Sequence, residues 1–277
     1  MDTPLERTPV LSLEDGWILL PLTAAVGGAW AFARPWKSSD VPTLLTMVAL
    51  MLGGWHAFWR AVTRTEWAPP LRRWREWEAE APLKRWPYLQ PGTPGAALHQ
   101  QLRRARAWWL AVGREALALP LRRAVLAGVL SLLLSAVLGR TALLLTLAFI
   151  TVTELAALWH EGEGRVGAGW QGLALGMLPW LLGASLGGGL EAAALSSLAV
   201  LLLVGFYSSA GWQAVFGPLA AAGFLVLRGR AIAPGWLLLL AVPGGIVWAR
   251  GADAERYHQV VGPWLLAMIG VLAWAVA

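Results

Sequence analysis

Two stretches of the chain, 16–62 and 122–277, read as apolar runs separated by short polar or glycine-containing breaks. The runs cover residues 16–34, 41–62, 122–139, 141–160, 168–187, 190–207, 211–227, 232–249 and 258–277. They are rich in Leu and Ala and lack the period-two alternation of strands, so they predict helices. A run of roughly 20 apolar residues is enough to cross about 30 Å of hydrocarbon. Backbone groups find no water partners inside lipid, so spans are helices or a closed barrel, and unbroken runs select helices. The expected fold is all-α, a polytopic transmembrane helical bundle of about nine spans. It forms one integral membrane domain over 1–277 with an N-terminal tail at 1–15. The softest boundaries are the turn at Gly187–Gly189 and the breaks at Ser208–Gly211 and Arg228–Arg230. Pro179, Pro218 and Pro243 fall inside spans, where neighbouring helices re-satisfy the carbonyls they free.

The interval at 63–121 has a different pattern. Leu98, Leu102, Ala105, Trp109, Val112, Ala116 and Leu119 recur at spacings of four and three, the apolar stripe of a helix. Gln101, Arg103, Arg104, Arg106 and Arg114 occupy its remaining surface, and a shorter piece, 71–81, aligns Leu71, Trp74 and Trp77. Between Arg60 and Arg123 stand thirteen of the chain's 22 basic residues against five acids, a net charge of +8. The positive-inside rule places this basic, Trp-rich segment in the cytoplasm. The N-terminus is then cytoplasmic, and nine spans carry the C-terminus to the far side. The pattern suits amphipathic helices lying in the interface, with Arg103, Arg104, Arg106, Trp109 and Arg114 against anionic headgroups. Two other readings stay open: the stripe packs on the spans, or 98–119 extends the third span. Nucleic acid is not expected as a partner, because lipid is already adjacent.

Composition agrees with the pattern. Of 277 residues, 57% are hydrophobic and only 14% charged, against about 25% in ordinary soluble domains. The mean hydropathy of +0.57 points the same way. Absence of cysteine excludes a disulfide framework, a thiolate metal site and a cysteine nucleophile. The first fifteen residues carry Asp2, Glu6, Glu14 and Asp15 against Arg7, the wrong charge for a secretory signal, so the first run reads as a retained span. The expected location is the inner, cytoplasmic membrane of a prokaryote. Many of the nineteen tryptophans, including Trp17, Trp36, Trp55, Trp59, Trp159, Trp170, Trp212, Trp236 and Trp248, lie near span ends, as in an interfacial aromatic belt.

An ionisable side chain within a span is a functional candidate by default. Glu154 lies one or two turns inside the fourth span, and His160, Glu161, Glu163 and Arg165 follow it. His56 and Arg60 stand near the end of the second span, and Asp253 and His258 precede the ninth. The topology gathers these residues on the cytoplasmic side. They suit an anionic-ligand pocket, an oxygen–nitrogen metal site, or a haem or chlorophyll held by His56 and His160. The bland alternative pairs Glu154 with Arg60 and uses the histidines as caps. No confident metal site emerges. Glycines at 172, 176, 183 and 187 form two G-x-x-x-G pairs, the pattern of close helix packing.

Nine apolar runs with a long cytoplasmic segment after the second resemble the UbiA-type membrane prenyltransferases. The stretch 84–92, KRWPYLQPG, is similar to that family's R-P-L-x-x-G stretch. The run 160–165, HEGEGR, is similar to its second acidic loop, although it follows the fourth run rather than the sixth. The aspartate-rich motif expected after the second span is missing, and HAFWRAVTRTEW (56–67) stands there instead. The resemblance implies prenyl transfer with Mg²⁺, in which Glu66, Glu161 and Glu163 would replace the family's aspartates. Three functions are therefore expected in competition. The first is a non-catalytic accessory or assembly subunit, or divergent scaffold, of a membrane complex. The others are a transporter or permease for lipid or a small solute, and a UbiA-like prenyltransferase acting on a lipid substrate.

Overall fold

The computed structural model describes residues 17–32, 37–65, 67–75, 77–82, 92–159, 167–209, 211–252 and 254–277, and contains no strand among them. Among the described residues, ten helices follow one another: α1 (Leu19–Phe32), α2 (Ser38–Thr63), α3 (Ala68–Arg75), α4 (Pro94–Leu138), α5 (Arg140–Leu158), α6 (168–187), α7 (Ala193–Tyr207), α8 (Trp212–Leu227), α9 (Ala233–Ala249) and α10 (Ala254–Val276). A helix stands at each of the nine apolar runs. Four, namely α2, α4, α5 and Arg256–Val276 of α10, are long and apolar enough to cross a membrane. Helix α1, with 14 residues, reaches only about 21 Å.

Local chemistry explains the boundaries. Helix α4 starts at Pro94, behind Thr93, whose hydroxyl accepts from the Ala96 amide at 3.3 Å. Gly139 separates α4 from α5 with φ +109°, a region L side chains avoid. Helix α6 ends in a left-handed Gly188, and the Gly189 amide reaches back to the Ala184 carbonyl at 2.9 Å. The expected breaks at Ser208–Gly211 and Arg228–Arg230 are both present. Three helices contain one π-helical stretch each, at Leu50–Trp55, Trp109–Gly113 and Gly172–Met177. The last of these ends two residues before Pro179, whose ring would otherwise press on a carbonyl one turn back.

The third run begins earlier than its apolar stretch alone. The amphipathic stretch 98–119 and the apolar stretch 122–139 are a single helix of 45 residues, about 68 Å long. The continuity is local in origin: Pro120 removes one amide hydrogen bond, and the surrounding Ala, Leu and Arg are strong helix formers. An extension of the third run was one of the readings left open above.

The bundle is assembled around α6. Its first glycine pair faces α7, and its second faces α1. A Cβ added at Gly172 would collide with the Leu201 carbonyl of α7, and one at Gly183 with the Ala25 carbonyl of α1. Gly28 of α1 in turn abuts the Trp180 carbonyl of α6. Trp180 is fully buried, and its indole N–H donates to Ser196 Oγ of α7 at 3.1 Å. A second centre joins α2, α4 and α5. There Trp55 stacks on Phe149, with ring centroids 4.4 Å apart, and donates to Thr146 Oγ1 at 3.2 Å. Gly54 lies against Ser131 of α4. Trp55 and Trp59 are thus core residues and not members of a surface belt, whereas Trp159 and Trp212 are exposed.

Replacing Gly183 by Ala is expected to lower stability by about 1–3 kcal/mol, the usual penalty of overpacking. Gly223→Ala, which meets nothing within 4 Å, should be silent. Thermal unfolding of both variants in one detergent checks this; equal midpoints would rule out backbone contact as the organising constraint.

Candidate functional site

A dense polar arrangement lies where four helices end. Helix α7 stops at Tyr207–Ser208, and helix termini leave backbone carbonyls without partners inside the helix. Two side chains from the first turns of α10 meet these carbonyls. Tyr257 donates its hydroxyl to the Tyr207 carbonyl at 3.1 Å, and His258 Nε2 lies 2.8 Å from the Ser208 carbonyl. A carbonyl only accepts, so Nε2 carries the proton in this contact. The Ser208 hydroxyl donates to Gln171 Oε1 of α6 at 2.8 Å and lies 2.9 Å from the Gly205 carbonyl. Trp17, just before α1, meets the His258 ring edge-on at 5.3 Å. Ser208, Tyr207 and Tyr257 are buried, and Gln171 and His258 are half-buried. The arrangement ties the starts of α1, α6 and α10 to the end of α7.

Among the described residues, His258 is the one predicted site residue in this cluster. His56 is buried on α2 at the end of its π-helical stretch, and Arg60 is half-buried one turn later. Glu154 is on the exposed face of α5, beside Thr151, Leu155 and Leu158, and does not enter the bundle. His160, Glu161, Glu163, Arg165 and Asp253 lie outside the described residues, as does Glu66. Among the described residues, no group of three His, Asp or Glu is able to hold a metal ion. The carboxylates on which Mg²⁺ binding of the prenyltransferase type would rest are therefore not placed, nor is the His160 that a tetrapyrrole would use.

The arginines expected at the lipid surface divide into two sets. Arg104 donates to the Trp74 carbonyl at 3.1 Å, and its guanidinium sits 4.9 Å from the centre of the Trp74 ring. Arg106 donates to the Pro82 carbonyl at 2.8 Å. Arg103 pairs with Glu80 at 3.2 Å and donates to the Ala81 carbonyl at 3.4 Å. Trp108 donates to the Pro70 carbonyl at 3.2 Å. These contacts strap α3 and residues 77–82 onto the first half of α4. Arg114 is exposed, and Trp109 is half-buried, its ring lying over Gly113.

A cleft of about 200 Å³ opens between α8 and α9, lined among others by Tyr207, Ala214, Pro218, Val242, Gly245 and Trp248. Gly244 makes room for the Tyr207 ring there. Sequence reading passed over Gln171, Tyr207, Ser208 and Tyr257. The available signal was the pair of neighbouring polar residues, Tyr207-Ser208 and Tyr257-His258, at two helix ends.

The two kinds of candidate make opposite predictions. Changing His258 to Phe should lower stability by about 1 kcal/mol, the net worth of a hydrogen bond, and Gln, which keeps a donor, should recover part of it. Glu154→Gln should stay within about 0.5 kcal/mol of the parent, as for exposed sites. Thermal midpoints decide between them; a large loss at Glu154 with none at His258 would reverse the assignment. No protein-family model, characterised protein or solved structure matches this chain.

Proposed function

We propose that the chain is a multi-pass protein of a prokaryotic cytoplasmic membrane, crossing it about nine times with its N-terminus and basic segment inside. In this reading it is a non-catalytic accessory or assembly subunit of a membrane complex. The outward band of leucine and valine supports the membrane setting: Leu126, Leu133 and Val137 on α4 and Leu144 and Leu158 on α5 are all more than half exposed. In water such a surface would aggregate, whereas in lipid it is the expected exterior. Helices shorter than the hydrocarbon are accommodated by local thinning or by neighbours.

The observation that carries the accessory role is where the interior polar groups spend their hydrogen bonds. Trp55, Trp180, Tyr257 and Ser208 each bond to another helix of the same chain, and Ser131, Thr153 and Ser197 bond back to their own helix carbonyls. They act as internal ties and are not directed at a substrate. The apolar cleft between α8 and α9, with Pro218 and Pro243 in its two helices, favours a second reading, a lipid or small-solute permease.

Affinity purification from native membranes should recover the chain with at least one other membrane protein in fixed ratio. Recovery of a monodisperse single species that moves a lipid or solute across proteoliposomes would favour the permease. The topology has its own check. A label that cannot cross membranes should reach Gln90→Cys only from the cytoplasmic side and Ser39→Cys only from outside; the reverse pattern would remove the shared cytoplasmic face.

A further inference from the structure

The first half of α4 carries the seven-residue apolar stripe from Leu98 to Leu119, and the strap leaves that stripe open. It engages Arg103, Arg104, Arg106 and Trp108. Leu98, Leu102, Ala116 and Leu119 are exposed, Leu98 and Leu119 by more than half, and Ala105, Trp109 and Val112 between them are half-buried. Among the described residues of α3 and α4, the exposed basic residues outside the strap are Arg72, Arg73, Arg114, Arg122 and Arg123. Apolar and cationic surface therefore occur together, in a segment whose thirteen basic residues face five acids. The complement of such a surface is an apolar layer beneath a negatively charged one. The headgroup region of an anionic leaflet has that order of layers, and it attracts juxtamembrane basic segments.

The geometry points to the stripe of α4 as a docking surface for an anionic phospholipid leaflet, with Arg114, Arg122 and Arg123 at the phosphates. This inference rests on the membrane reading above and adds to it which arginines touch lipid. Arg103, Arg104 and Arg106 are engaged otherwise; they splint the helix from the side through the carbonyls of Ala81, Trp74 and Pro82. The joint between the stripe and the apolar stretch falls at Pro120, which has no amide hydrogen for the Ala116 carbonyl. A helix bends most readily at such a point, and a bend there lays the stripe on the leaflet that 124–138 enters.

The chain has no cysteine, so single labels are unambiguous. The full chain is reconstituted in vesicles of phosphatidylcholine, with or without phosphatidylglycerol. Spin labels are placed through Leu102→Cys, Leu119→Cys, Ala111→Cys away from the stripe, and Leu133→Cys as a reference in the apolar stretch. Dissolved oxygen reports lipid exposure, and a water-soluble nickel chelate reports water. With phosphatidylglycerol, labels at 102 and 119 should match the lipid-like ratio at 133, while 111 stays water-like. Leaving out the anionic lipid, or changing Arg114, Arg122 and Arg123 together to Gln, should abolish the lipid-like signal at 102 and 119 but not at 133. Water-like ratios at 102 and 119 with a lipid-like 133 would overturn this proposal alone. Shielding of 102 and 119 from both reagents would overturn it in favour of a protein partner or a second copy on the stripe. A water-like 133 would overturn the membrane reading, and this inference with it.

Discussion

Contact between backbones, allowed where side chains are missing, holds this molecule together. Gly183 lies against the Ala25 carbonyl, Gly172 against the Leu201 carbonyl, and Gly28 against the Trp180 carbonyl, so α1, α6 and α7 meet at distances that no other residue permits. In lipid this has particular force. Tails are as apolar as leucine, so helices gain nothing from hiding leucines and associate through close packing and hydrogen bonds. The same approach fixes the large side chains, because Trp180 fits only where Gly27 and Gly28 make room, and only there does its N–H meet Ser196.

Polar groups in such an interior have few uses, and most here join helices. The Trp55–Thr146, Trp180–Ser196 and Tyr257–Tyr207 bonds each cross between helices, and each places a donor where an unpaired group would be penalised. The cluster around Ser208 extends this to a helix end: two α10 side chains and one from α6 occupy groups that the last turn of α7 exposes. Glu154 follows the complementary rule. Placed on the outer face one turn from the end of α5, it can extend its carboxylate toward water without entering the bundle.

Arginine performs two tasks within one helix. At 103, 104 and 106 it donates to carbonyls of the returning chain, where planar multidentate donors suit a strap. At 114, 122 and 123 it is exposed just before the apolar stretch begins, the position in which the proposed bilayer setting needs positive charge. The residue type is the same, and its neighbours decide which task it takes.

What depends on local order was legible in the sequence. The apolar runs, the break at Gly188 and the turns after Tyr207 and Leu227 follow from periodicity, glycine and charge within a few residues, and each is present in the fold. The two glycine pairs of α6 were also readable as packing signals, though not their separate partners. The tertiary structure alone decided that Trp55 and Trp59 enter the core, that Glu154 faces outward, that 94–138 is one helix, and that Gln171, Ser208 and His258 meet. These outcomes depend on which helix lies beside which, and on the rotation each π-helical stretch imposes. The apolar runs after residue 123 carry almost no record of their neighbours in their own sequence, because nearly every face is apolar; shape and a few hydrogen bonds choose the partners.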